Sequence, residues 1–160
     1  MNIEIMISHR ESRPVVCTRF QCTAQAIPVH LREMLPPVYG YVDKHGATVA
    51  ETPFLRYHTF VDGRYHLELG IPLEQPLKGK AMIEASELPG GPVAIAAHVG
   101  PYRKLGKTHG LVRNWIRDSD EWEANGPGWD FFLDDPRKTD AELGSGSRRT
   151  RVCYPVRKIS

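Results

Sequence analysis

One aspartate stands inside the most aromatic stretch of the chain, Gly128-Trp129-Asp130-Phe131-Phe132-Leu133. A carboxylate among aromatic side chains is costly if it is buried without a partner. Strand alternation puts Asp130 and Phe132 on one face, with Trp129, Phe131 and Leu133 on the other. Two readings are open. Asp130 is a strand-end aspartate paired with Arg148 or Arg149 across a hairpin, or it is a charge kept for a ligand. Aromatic faces beside a carboxylate suit a cationic or polarised apolar ligand.

Other residues that could do chemistry fall short of a pattern. The seven histidines show no H-E-x-x-H spacing and no metal order with cysteine, so they read as dispersed surface or strand residues. No metal site is expected. Cys17 and Cys153 fall in apolar strands and read as core thiols. The segment Gly100-Pro101-Tyr102-Arg103-Lys104-Leu105-Gly106-Lys107-Thr108 imitates a phosphate loop. Its first glycine comes one residue too early, and Pro101 removes an N–H that would face a phosphate. It reads instead as a helix start followed by an exposed Gly-Lys-Thr turn. Arg148, Arg149, Arg151, Arg157 and Lys158 lack interleaved stacking aromatics, so this basic run reads as a solvated strand end. Direct nucleic-acid binding is not expected.

These residues must be positioned by a fold, and the chain carries a signature of one. Ile3-Glu4-Ile5 resembles Ile83-Glu84-Ala85, and Pro14-Val15-Val16 resembles Pro92-Val93-Ala94. Phe54-Leu55-Arg56-Tyr57-His58 resembles Trp129 to Leu133, with Leu55 standing opposite Asp130. The matches keep one order, and their separations cluster near half the chain length, which indicates two repeats, about 1–78 and 79–160. Alternation predicts strands at 2–8, 14–23, 54–61 and 65–73, the last two joined by an Asp62-Gly63 type I′ turn. The second half repeats them at 80–88, 92–99, 128–133 and 148–156. Because interior proline costs ~3 kcal/mol, the stretch with Pro36-Pro37 is expected to form a short turn of helix, a break, and a second helix from Pro37 to Lys44. Another is expected over 101–124. The connector Asp134–Ser147 reads as a mobile loop from its glycine, serine and charge. The expectation is an antiparallel α+β domain with pseudo-twofold symmetry, two main helices and about eight strands.

Composition agrees with a single domain over 1–160. The chain has 160 residues, net charge +2, 41% hydrophobic and 25% charged residues, which excludes disordered and collagenous classes. Three cysteines without CxxC spacing suit a reducing cytoplasm, and no signal peptide or apolar span is evident.

A family pattern runs through the chain. Pro53-Phe54-x-x-Tyr57, Glu68-x-Gly70-x-Pro72, Leu88-Pro89-Gly90-Gly91-Pro92-Val93-Ala94 and His98-Val99-Gly100-Pro101-Tyr102 occur in order. Trp129-Asp130-x-Phe132-Leu133-x-Asp135-Pro136 and Arg149-Thr150-x-Val152-x-x-Pro155-Val156 follow. Together they resemble the GyrI-like small-molecule-binding domains, the effector-binding domains of bacterial transcription activators. The resemblance implies two strand–helix–strand–strand repeats and a ligand cleft on the pseudo-twofold axis, which takes hydrophobic, often cationic compounds. It implies an acidic role for Asp130 in place of the family's glutamate, and Phe132 in place of the following tyrosine. It implies no cofactor. Tyr57, Tyr102, Trp115, Phe132 and Met34 are then candidate walls, with Asp130 at the base. The expected function is sequestration or sensing by a stand-alone binding protein without a DNA-binding domain. One alternative is hydrolysis of cyclopropane-bearing genotoxins, with Asp130 or Glu68 as catalytic acid or base. Another is antagonism of gyrase or a toxin through a protein partner.

Overall fold

The computed structural model describes residues 3–144 and 148–160. Asn2, the expected start of the first strand, and residues 145–147 of the connector lie outside them. The first half runs β1 (Ile5–Arg10), β2 (Arg13–Cys22), α1 (Ile27–Lys44), β3 (Phe54–Val61) and β4 (Arg64–Pro72). The second runs β5 (Glu84–Leu88), β6 (Gly91–Val99), α2 (Leu105–Asp118), β7 (Trp122–Ala124), β8 (Trp129–Phe132), α3 (Asp140–Leu143) and β9 (Arg149–Lys158). The strands form one antiparallel sheet in the order β1-β6-β9-β8-β3-β4-β2-β5, with β7 paired to β9. Exchanging the halves turns this order into its own reverse. The twofold axis therefore passes between β3 and β8, where Leu55 lies directly across from Asp130.

Two short connections shape the sheet. β1 and β2 are separated by two residues, yet they lie near opposite ends of the strand order. Two residues reach only about 7–10 Å, so the ends must meet and the sheet must curl. Gly90, between β5 and β6, marks the meeting point. A Cβ there would stand 2.6 Å from the backbone nitrogen of Ser12. Inside the curl are Val15, Phe54, Leu88, Val93, Trp129, Phe131 and Cys153, all buried. Arg10 lies against the Trp129 and Phe131 rings, 5.6 and 5.3 Å from their centroids, and makes a two-pronged ion pair with Glu51.

Both helices pack on the outer face. α1 buries Leu31, Leu35, Val38 and Val42, a stripe at helical spacing, against Leu55, Leu67, Leu69 and Ile71. α2 buries Leu105, Val112 and Ile116 against Ala94, Ala96 and Val152. Tight spacing under the sheet limits some positions. A Cβ at Gly70 would meet Phe54, the Val16 carbonyl and Cys17 at 2.8–2.9 Å. Phe54, Val16 and Cys17 are fully buried and have no room to move. Gly70→Ala is therefore expected to lower the unfolding free energy by about 1–3 kcal/mol, read from urea denaturation.

Several expectations change. α1 is unbroken at Pro36 and Pro37. Both prolines face solvent, so the carbonyls of Arg32 and Glu33 that lose helical donors can bind water. The buried stripe on the other side holds the turns together. The second helix stops at Asp118 rather than 124, because Ser119 turns extended and its hydroxyl accepts the Glu121 and Trp122 N–H groups. The freed segment becomes β7, a ninth strand. Gly106-Lys107-Thr108 is no exposed turn but helix, with Thr108 buried against His98 at 2.8 Å. The hairpin reading is met, since Asp62 and Gly63 both take positive φ, 52° and 74°. The described part of the connector is folded by short-range contacts. Thr139 and Glu142 form a reciprocal cap on α3, and Arg137 pairs with Asp135 while covering the Tyr39 ring at 5.0 Å.

Candidate functional site

α1 and α2 both begin beside the axis, and a cavity of about 530 Å³ opens between their first turns and the sheet. The 3₁₀ turns that lead into the helices, Ala24–Ala26 and Tyr102–Lys104, form its mouth. Tyr57, Tyr65, Tyr102, Phe132 and Tyr154 supply aromatic walls, with Leu31, Leu55 and Leu105 between them. Tyr102 and Phe132 meet at 5.5 Å between ring centroids, and Tyr57 and Tyr65 at 5.8 Å.

Beneath this surface runs a polar chain. Arg113 donates to the Tyr154 hydroxyl at 3.1 Å, and that hydroxyl meets His109 Nδ1 at 2.7 Å. His109 Nε2 meets Asp130 Oδ1 at 2.8 Å, and the Tyr57 hydroxyl donates to Asp130 Oδ2 at 2.5 Å. A carboxylate only accepts, so His109 Nε2 carries the proton it donates to Asp130, while Nδ1 faces the Tyr154 hydroxyl. Each donor then points toward the carboxylate. Burial, with the Asp130 charge beside it, pushes the Tyr57 phenol well above its ordinary value. Burial raises Tyr154 too, although Arg113 opposes it. Both phenols therefore stay protonated as donors at neutral pH. Gly128 makes room for this chain, since a Cβ there would stand 2.6 Å from the Tyr154 ring.

Asp130 itself is 0% exposed. His109 and Tyr57 cover it, so the cavity meets its charge only through their side chains. The pairing with Arg148 or Arg149 does not occur. Arg149 binds Asp134, while Arg148 is buried, not solvated, and donates to the Tyr102 hydroxyl at 2.9 Å from behind the ring.

Tyr57, Tyr102 and Phe132 line the cavity, with Asp130 underneath. Trp115 and Met34 do not line it. Trp115 packs on the α2 cluster and Met34 on the α1 cluster. Glu68 lies on the opposite face of the sheet, fully buried, and binds Arg56 at 2.7 Å and His58 at 2.7 Å. A one-residue bulge between Tyr57 and Thr59 turns His58 toward it. Burial alone would raise the Glu68 carboxyl, but the Arg56 guanidinium and the His58 and Arg56 hydrogen bonds outweigh it and hold it below its ordinary value. Burial pushes the neighbouring Cys17 thiol up to about 12, which leaves it inert as a nucleophile.

Sequence reasoning missed His109, Tyr154, Tyr65 and Arg113. His109 carried a usable signal. It falls at the inward spacing of Leu105, Val112 and Ile116, and a polar residue on an apolar helix face needs a buried partner. Among the described residues no group of three or more histidine, cysteine or acidic side chains could hold a metal. Among the described residues no helix is long and apolar enough to cross a membrane.

Solved structures share this architecture. The C-terminal domain of EcmrR has a TM-score of 0.83 at 18% identity, covering 99% of this chain and 100% of that one. SAV2435 bound to tetraphenylphosphonium scores 0.65 at 12% identity, covering 96% and 94%. A hydrolase encoded by lin2189 from Listeria innocua scores 0.61 at 12% identity, covering 96% and 92%. A search of curated protein sequences finds no match. In a complex of EcmrR with DNA the likeness has a TM-score of 0.82 at 18% identity, and this chain spans 58% of the EcmrR chain. That corrects the expectation that set nucleic acid aside. This fold occurs within a chain that binds DNA, and a search for DNA-reading motifs inside these 160 residues could not detect such a link. A family model described as the GyrI-like small molecule binding domain matches residues 4–157, and the chain belongs to that family.

Proposed function

We propose that this protein senses or sequesters a lipophilic aromatic small molecule in the cleft on its twofold axis. The cavity of about 530 Å³ carries the reading. Its size suits a drug-sized compound, and apolar walls with a few converging polar groups are the usual make-up of a ligand site. Tyr57, Tyr102 and Phe132 act as binding walls, with Asp130 holding Tyr57 and His109 in place. SAV2435, which shares the fold, is a precedent for a bound aromatic ion.

Gly106 gives a clean test. It lines the cavity on α2, and a Cβ there meets nothing within 4 Å. Gly106→Phe adds a ring at the mouth while removing a helix glycine that costs about 0.5–1 kcal/mol relative to alanine. The expected outcome is a fold at least as stable in urea and at least about tenfold weaker binding of an aromatic dye, equivalent to ~1.4 kcal/mol. Unchanged affinity would place binding elsewhere.

Hydrolysis is a second reading, favoured by the Tyr154–His109–Asp130 line. Such a line can pass a proton to or from a hydroxyl at the cavity wall. Glu68, on the far face, has no access to the cleft. Product release from an electrophilic aromatic compound, abolished by His109→Gln, would support this reading. Stoichiometric binding without product would remove it.

A further inference from the structure

The polarity of the cleft says what charge its ligand carries. We infer that the cleft is built for an aromatic ligand bearing a negative charge, such as a carboxylate or sulfonate. This rests on the cleft being the binding site. Among the described residues, the cavity wall includes Arg103 and Arg113 and no acidic side chain. Asp130 is the opposing charge, but it is fully buried and both its oxygens are engaged. A cation in the cleft would meet two arginines directly and the carboxylate only through the Tyr57 and His109 side chains.

Helix geometry acts in the same direction. Both helices start at the cavity, and neither has a side-chain cap or an acidic residue in its first turn. Their positive ends stay uncompensated by side chains. Arg113 is well placed to read an anion. Its guanidinium carries five N–H donors, and Tyr154 engages one nitrogen of the fork. A planar carboxylate or sulfonate can take a paired set of the others.

Tetraphenylborate and tetraphenylphosphonium test this, because they share a shape and differ in the sign of charge. Each is titrated by calorimetry, and by displacement of the neutral dye Nile red. Tetraphenylborate is expected to bind at least about tenfold more tightly at low ionic strength, with the gap narrowing as salt is added. Arg103→Glu with Arg113→Glu should reverse the order. Arg103→Gln alone, at an exposed position, should shrink the gap without touching the polar chain. Equal affinities, or tighter phosphonium, would overturn the charge assignment and leave the binding site standing. If neither ion nor Nile red binds, the cleft reading falls with it.

Discussion

Glu68→Leu is expected to lower the unfolding free energy by about 3–5 kcal/mol, because it leaves the Arg56 guanidinium buried without its carboxylate. Arg56 is 7% exposed, and it also donates to the Glu87 carbonyl at 3.0 Å across to β5. That bond softens the loss without replacing a charge. The double variant Glu68→Leu with Arg56→Met should recover most of the stability, since a buried ion pair replaced by apolar groups of similar volume is often neutral. A urea double-mutant cycle reads the coupling. Additive losses would show that the pair contributes through packing alone.

The same pair sets an acid limit. The folded Glu68 carboxyl lies below its ordinary value of 4.5. Its contribution is therefore fully present above that pH and is lost as pH falls through the lower folded value. Asp134, held low by side-chain and backbone hydrogen bonds from Arg149, and Asp135, held low by Arg137, act with the same sign. Wild type should lose stability below pH about 4.5, and Glu68→Leu with Arg56→Met should lose less.

Asp130→Leu is the second large effect. It would make the floor match its Leu55 counterpart and strand two buried donors, the Tyr57 hydroxyl and His109 Nε2. Each buried donor without an acceptor costs about 1–3 kcal/mol. The added apolar burial offsets part of this, so a net loss of about 2–4 kcal/mol is expected in urea. Asp130→Asn keeps one acceptor, and the Tyr57 hydroxyl can rotate to accept the new N–H, so its loss should be about 1 kcal/mol. Dye affinity should fall in both variants, because Tyr57 and His109 lose the group that orients them. A midpoint unchanged in Asp130→Leu would mean the polar chain contributes nothing to the fold.

Much of the architecture was legible because it is local. Asp62-Gly63 has the residue types for two positive φ angles, and strand alternation assigned the faces around Asp130 correctly. The duplication was legible because Leu55 and Asp130 sit in matching strings. What failed depended on distant packing. Pro36 and Pro37 fit in α1 only because they face water while Leu35 and Val38 face the sheet. Asp130 could be singled out as a charge among aromatics, but its partners lie 73 and 21 residues away in sequence. No spacing rule connects them. Arg148 read as one of a basic run, and only the fold places it behind Tyr102.

The pairing of Leu55 with Asp130 on the axis has an effect on pose. A cleft with true twofold symmetry offers any occupant two equivalent orientations, which adds RT ln 2, about 0.4 kcal/mol, of entropy to binding. One acidic floor residue facing one leucine removes that equivalence. The protein gives up a small degeneracy and can tell one end of its occupant from the other. Walls duplicated in fold but not in charge, with Arg103 and Arg113 both on the second half, can thus hold a molecule whose two ends differ in a single direction.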